Sequence, residues 1–178
     1  DQSATMLIVA AMSLPVVVKP VRSSGGVDVL RARTPEELEN ALTVTAAKYP
    51  CVALSPWISA TYEYRVVSVD GSAELVFRKR IGTRNESEWR HSSAYGALTD
   101  VVPDSPIRER LASMACDAMT ALGLRAGAVD VLEDDHADLH IVEVNDAFSL
   151  NHFSQESVEN YRLATAAYRT IIGAGFGI

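Results

Sequence analysis

AGAVDVLEDDHADLHIVEVN, residues 126–145, decides how the chain is read. In its first part Asp130 stands between Val129 and Val131, one polar residue in an apolar strand pattern. In its last part Glu143 and Asn145 are two residues apart, so on a strand both point to one face while Val142 and Val144 point to the core. The acidic stretch EDDHAD separates the two strands as a turn. A register that sets Asp130 opposite or diagonal to Glu143 brings three oxygen-bearing side chains to one patch. Two carboxylates and an amide oxygen, without a sulfur or imidazole ligand set beside them, suit Mg²⁺ held together with phosphates and water. Taken alone, the same residues also read as solvated polar positions on the open face of an antiparallel sheet.

Upstream, YEYRVVSVDGSAELVFRKR (residues 62–80) reads as two alternating strands around Asp70-Gly71, a strong hairpin signal. Residues 82–100 are polar and irregular and read as a long loop. Pro106 to Ala121 predicts an amphipathic helix closed by Gly123, and a last helix is expected from Gln155 to Ile172 with apolar positions at Val158, Tyr161, Leu163, Ala164, Tyr168 and Ile171. Nearer the start, residues Ala4 to Met12 predict a short helix. LPVVVKP predicts a buried strand ending at Lys19, VRSSGG a flexible turn, and Val27 to Ala32 a second strand. Thr34 caps the next helix, with Pro35 at its first position and Glu37 completing a capping box; Tyr49-Pro50 ends it, and CVALS follows as a strand. No internal repeat or low-complexity tract is present.

With 178 residues, 48% of them hydrophobic, the chain can bury a core but is short for two full-sized domains. A formal charge of -7 argues against nucleic acid or an anionic membrane as the main partner, because both attract basic surfaces. Cys51 and Cys116 lie in apolar surroundings and are expected as buried free thiols in a reducing compartment, the cytoplasm by default. No apolar run reaches the ~20 residues of a membrane helix. The chain begins with Asp1, which reads as a fragment lacking an N-terminal portion, and nothing in it decides whether copies associate. His136 and His140 are spaced i, i+4 across a turn and strand rather than on a helix, which does not make a zinc pair.

The ordered set PVVVKP, SSGG, SPWI with EYR a few residues on, VDV and VEVN, covering nearly the whole chain, resembles the ATP-grasp superfamily. The likeness is to its ligases of the ribosomal-protein S6 modification and D-alanine–D-alanine ligase type. The resemblance implies an α+β fold of two lobes, each with an antiparallel-rich sheet and helices, and a nucleotide cleft between them. The smaller lobe is expected over residues 1–56 and the larger, with the metal site, over 57–178. It implies ATP and Mg²⁺ as cofactors and, as activity, ligation of a carboxylate to an amine or thiol through an acyl phosphate. A non-catalytic nucleotide-binding module and an ATP-grasp phosphotransferase are the alternatives. The partners it implies are ATP, a small-molecule or peptide carboxylate, an amine, and the missing N-terminal domain.

Position by position, the resemblance makes Lys19 the strand-end lysine on the nucleotide phosphates and Ser23, Ser24, Gly25 and Gly26 the loop that closes over them. Ser55, Pro56, Trp57 and Ile58 match the hinge whose backbone reads the adenine edge, Glu63 the acid on the ribose hydroxyls, and Asp130, Glu143 and Asn145 the magnesium ligands. Arg65, Arg78, Lys79, Arg90 and His91 are the cations left to serve the transferred phosphoryl group; Trp89-Arg90-His91 followed by Gly96 resembles the loop that positions it. Three positions depart from the pattern. Ser55 stands where a hinge carboxylate is common, and Ala128 where an arginine precedes the first metal acid by two. Asp146-Ala147-Phe148 replaces the usual small-residue-proline-glycine run.

Overall fold

The computed structural model describes residues 13–23, 25–81, 89–92 and 95–176. The helix expected over Ala4–Met12 and the loop residue Ser24 lie outside them, as does most of the segment 82–94. The chain forms two compact units, Asp1–Ser59 and Ala60–Ile178.

The first unit is a three-stranded antiparallel sheet in the order β2-β1-β3, with β1 at Val16–Pro20, β2 at Leu30–Ala32 and β3 at Val52–Pro56. Strand alternation in β1 buries Val16 and Val18 against Leu38 and Ala41 of helix α1 (Pro35–Ala46) and leaves Val17 and Lys19 on the other side. The Thr34 hydroxyl caps α1 by accepting the Glu37 N–H at 3.2 Å. The Glu37 carboxylate takes the N–H of Arg33 at 2.7 Å, one residue ahead of the donor a capping box would use. Strand β2 is three residues shorter than expected. Gly25, Gly26 and Asp28 all take positive φ (67°, 76° and 57°), and the Asp28 carboxylate accepts from Tyr49 Oη at 2.8 Å and Lys48 Nζ at 3.0 Å, which holds residues 25–28 in a turn. Cys51 is exposed and Cys116 partly buried, both as free thiols, so burial is not what keeps Cys51 there.

The second unit is a five-stranded antiparallel sheet in the order β6-β5-β4-β7-β8. Its strands are β4 (Ala60–Val69), β5 (Ser72–Arg80), β6 (Leu98–Val101), β7 (Ala126–Asp134) and β8 (Leu139–Asn145). Asp70 (φ 47°) and Gly71 (φ 82°) make the two-residue turn, as their sequence predicts. Residues 98–100, read from sequence as the end of a loop, instead belong to edge strand β6: Phe77 to Arg80 supply the ladder, and four residues carry little periodicity.

Two bulges set which side chains share a face. In β4–β5 the pairing passes from Ser68↔Ala73 to Val67↔Leu75, so Glu74 is an extra residue. In β7–β8 it passes from Val131↔Ile141 to Asp130↔Glu143, so Val142 is the extra one.

Helix α2 (Pro106–Ala121) covers one face through Leu111, Ala115 and Met119 on Tyr64, Val66, Val76, Val129 and Val131. It ends where expected: Gly123 (φ 66°) bonds back to the Thr120 carbonyl and Leu124 to that of Met119. The helix packs so closely that a Cβ on Gly127 would lie 2.9 Å from both Met119 Cε and the Asn145 carbonyl oxygen. On the opposite face α3 (Asn151–Gln155) and α4 (Val158–Phe176) cover Val67, Leu75, Phe77 and Ala128, with Phe77 and Phe153 stacked at 4.5 Å. A fully buried side chain of this size stabilises by about 1.5–3 kcal/mol. Gln155 therefore belongs to a separate short helix: Ser157 restarts the chain by accepting the Asn160 N–H, while the Thr99 N–H and hydroxyl both donate to Glu156. Of the positions expected to be apolar-inward, Leu163, Ala164 and Ile171 pack on the sheet, whereas Val158 and Tyr161 face solvent at 71% and 62% exposure.

Candidate functional site

The face of the second sheet that carries α3 and α4 divides into two halves. Beyond Val67, Leu75, Phe77 and Ala128 the same strands carry Glu63 and Arg65 on β4, Lys79 on β5, Asp130 on β7, and Glu143 and Asn145 on β8. Cross-strand pairing brings them together: Arg65 faces Asp130, Glu63 faces Lys79, and Asp130 faces Glu143. Directly opposed residues of an antiparallel pair point to the same side, so the two acids of the expected metal set share a face.

Asp130 is 6% exposed and surrounded by cations. Arg65 grips it with two hydrogen bonds, Nε to Oδ1 at 2.8 Å and an amino nitrogen to Oδ2 at 2.6 Å. Lys79 Nζ reaches Oδ1 at 3.5 Å and also donates to the Glu63 carboxylate, and the Asn145 amide nitrogen approaches Oδ2 at 3.5 Å. Burial alone would raise the Asp130 carboxyl, but the Lys79 charge and the Arg65 hydrogen bond hold it below its ordinary value. Glu63 goes the other way: burial pushes it up against the pull of Lys79, and the Asp130 charge adds to the rise. Arg65 is raised, because Asp130 outweighs the burial that would lower it. With Glu143 exposed at the rim, three carboxylates meet two cations, which leaves a negative balance for a further cation.

The donor chemistry fits Mg²⁺: hard oxygen ligands from Asp130 and Glu143, with the Asn145 side chain beside them. Part of Asp130's capacity is engaged by Arg65 and Lys79, so a cation bound there would share it with them.

Arg78 does not join this group. It is next to Lys79 in sequence and so on the opposite face, with its guanidinium 4.8 Å from the Tyr62 ring centroid and 3.4 Å from Asp100. Arg90 lies 3.5 Å over the Tyr95 ring centroid. His140 Nε2 pairs with Asp134 at 2.9 Å, and the Asp134 carboxyl is held down to about 2, by His140 first and then by the Asp138 and His136 backbone N–H groups. The pairing of Glu63 with Lys79 escaped the sequence reading, although counting back from the Asp70-Gly71 turn comes within one residue of it.

In the first unit, the face of the sheet opposite α1 carries Lys19, Arg31 and Ser55, and the Trp57 ring lies 4.4 Å below the Arg31 guanidinium. The Trp57 N–H donates to the Pro15 carbonyl at 3.0 Å, so this amide is used within the sheet. Strand alternation then turns the Pro56 carbonyl to the outer edge of β3, where a proline costs no ladder hydrogen bond. The Ser23 hydroxyl donates to the Val27 carbonyl at 2.9 Å, closing the turn that holds Gly25 and Gly26.

A sequence model of the RimK-like ATP-grasp domain matches residues 1–167. The D-alanine–D-alanine ligase of Haemophilus ducreyi is 31% identical over 142 residues, covering 78% of this chain and 46% of the relative. The chain spans about half the length of the curated relatives it matches. In fold it is similar to a D-alanine–D-alanine ligase from Bacillus anthracis complexed with ATP (TM-score 0.71, 18% identity, 94% of this chain and 54% of that one). It is also similar to the ATP-grasp ligase PsnB complexed with a phosphomimetic precursor variant, Mg and ADP (TM-score 0.64, 14% identity, 96% and 50%). Among the described residues no helix is long and apolar enough to cross a membrane.

Proposed function

This chain belongs to the RimK-like ATP-grasp family, and we propose that it is the nucleotide-binding part of a Mg-ATP-dependent ligase that activates a carboxylate as an acyl phosphate for attack by an amine. The observation that carries this is the direct pairing of Asp130 with Glu143 on one sheet face, next to Arg65 and Lys79. Asp130, Glu143 and Asn145 would hold Mg²⁺, and the ion would supply charge neutralisation at the phosphates. In this reading Arg65 and Lys79, which are ion-paired with Asp130, offset the negative charge of the moving γ-phosphoryl group. Arg65 thereby serves where the family's arginine is replaced by Ala128. Glu63 takes the ribose. In the first unit Lys19 and the turn of Ser23, Gly25 and Gly26 serve the phosphates, and the Pro56 carbonyl and Ile58 N–H match the amino group and ring nitrogen of adenine.

Calorimetry with a non-hydrolysable ATP analogue should give binding that strengthens with Mg²⁺, and hydroxylamine should trap an acyl phosphate when the correct acid is supplied. Because the chain spans about half of its relatives, a nucleotide-binding module without ligation is the second reading; binding without trapped product across candidate acids selects it. ADP formation with a hydroxyl acceptor and no need for an amine selects a phosphotransferase.

A further inference from the structure

The chain between β1 and β2 is tied down along its length. The Val21 N–H donates to the Cys51 carbonyl at 3.2 Å, and the Ser23 hydroxyl to the Val27 carbonyl at 2.9 Å. The Asp28 carboxylate accepts from Tyr49 Oη at 2.8 Å and from Lys48 Nζ at 3.0 Å. Lys48, Tyr49 and Cys51 all belong to the connection from α1 to β3, so both ends of the turn are moored to one neighbouring segment. The Tyr49 hydroxyl also meets the Ser23 side chain.

Asp28 suits this place poorly on two counts. Its φ of 57° lies in the left-handed region, where glycine sits without penalty and an L side chain crowds its own backbone. Its charge also has the wrong sign for a turn that serves phosphates. The Tyr49 hydrogen bond first, and that of Lys48 second, hold the carboxyl below its ordinary value, and Lys48 supplies the opposite charge. What the carboxylate gives in return is an anchor. Gly25 and Gly26 take positive φ as well, and glycine loses more freedom than any other residue when its conformation is fixed. A turn built on two glycines keeps one shape only if something outside it holds it there.

We propose that Asp28 is a positioning residue: bound to Tyr49 and Lys48, it holds residues 25–28 in the shape that receives the phosphates of the nucleotide. This rests on the nucleotide site proposed above and adds to it a turn that is ordered before the ligand arrives. The entropy of fixing the two glycines is then lost on folding and not again on binding.

The test compares ATP with adenosine in the full-length protein by calorimetry. Asp28→Gly removes the anchor together with the strain at φ 57°, so its melting temperature should stay close to that of the wild type. ATP should nevertheless bind it about tenfold more weakly, the worth of one hydrogen bond to a charged group. Adenosine, which has no phosphate, should bind both proteins alike. Asp28→Asn tolerates the same φ and still offers Tyr49 an acceptor, so it should recover most of the ATP affinity. Tyr49→Phe should weaken ATP in the same direction, and combining it with Asp28→Gly should add little, as for residues that act as one unit. Equal weakening of ATP and adenosine, undiminished ATP affinity in Asp28→Gly, or an asparagine variant as poor as the glycine one overturns the proposal and leaves the nucleotide site standing. If ATP does not bind the wild type at all, the nucleotide reading falls and takes this one with it.

Discussion

One face of the second sheet holds two halves built on the same strands and separated by two residues along each. Val67, Leu75, Phe77 and Ala128 are covered by α3 and α4, and Phe77 stacks on Phe153. Glu63, Arg65, Lys79 and Asp130 lie outside the cluster under α3 and α4 and pair with one another through ion pairs. The first half gains stability from apolar area and loses little specificity when repacked. The second is costly to bury and is held only while every charge keeps its partner. The contrast separates what holds this sheet together from what it holds in readiness.

The largest effects expose that contrast. Phe153→Ala should cost about 3–5 kcal/mol in urea denaturation, through lost burial and a cavity, and leave nucleotide affinity of the folded protein unchanged. Asp130→Ala should cost a comparable ~3–5 kcal/mol for a different reason, because Arg65 and Lys79 stay buried without their carboxylate, and should abolish the Mg²⁺ dependence of nucleotide binding as well. A stability loss near zero would mean that the polar half is solvated and the comparison mistaken. Glu143→Gln acts at the exposed rim, so its melting curve should match the wild type, while turnover of the parent enzyme drops at least about a hundredfold. Unchanged ADP release with a competent substrate would remove Glu143 from the metal set.

The smallest effect lies at the turn between β7 and β8. Asp134 titrates at about 2 in the folded chain, below its ordinary value, so it stabilises the fold above the unfolded carboxyl range and loses that contribution as pH falls towards 2. The urea midpoint of Asp134→Asn should lie below the wild type at pH 6, and the gap should close as pH drops from about 4 to 2.

Local chemistry was legible in the sequence where one residue type decides. Asp70-Gly71 marked the hairpin, Thr34 and Pro35 the start of α1, and Gly123 the end of α2, each because its conformation or hydrogen bond is set within four residues. The alternation in VDV and IVEVN likewise put Asp130, Glu143 and Asn145 forward. What could not be read was the pairing between strands. Regular pairing from the Asp70-Gly71 turn would set Arg78 opposite Glu63, and the extra Glu74 replaces it with Lys79, which is why Arg78 and Arg65 looked equivalent and are not. Strand β6 stayed hidden because its ladder comes from β5, eighteen or more residues away in sequence, and not from its own pattern. The exposure of Val158 and Tyr161 was hidden for the same reason: a helix shows its apolar positions, but the sheet beneath decides which of them are covered.

The extra Val142 carries a consequence for how this protein can vary. Counting evenly back from the acidic turn would seat Glu143 against Val129, under α2, so the site exists only because an odd residue restores the parity of the two strands. Length changes between Asp134 and Glu143 should therefore be tolerated in twos, while a single deletion turns the carboxylate inside out and fills the apolar layer with charge.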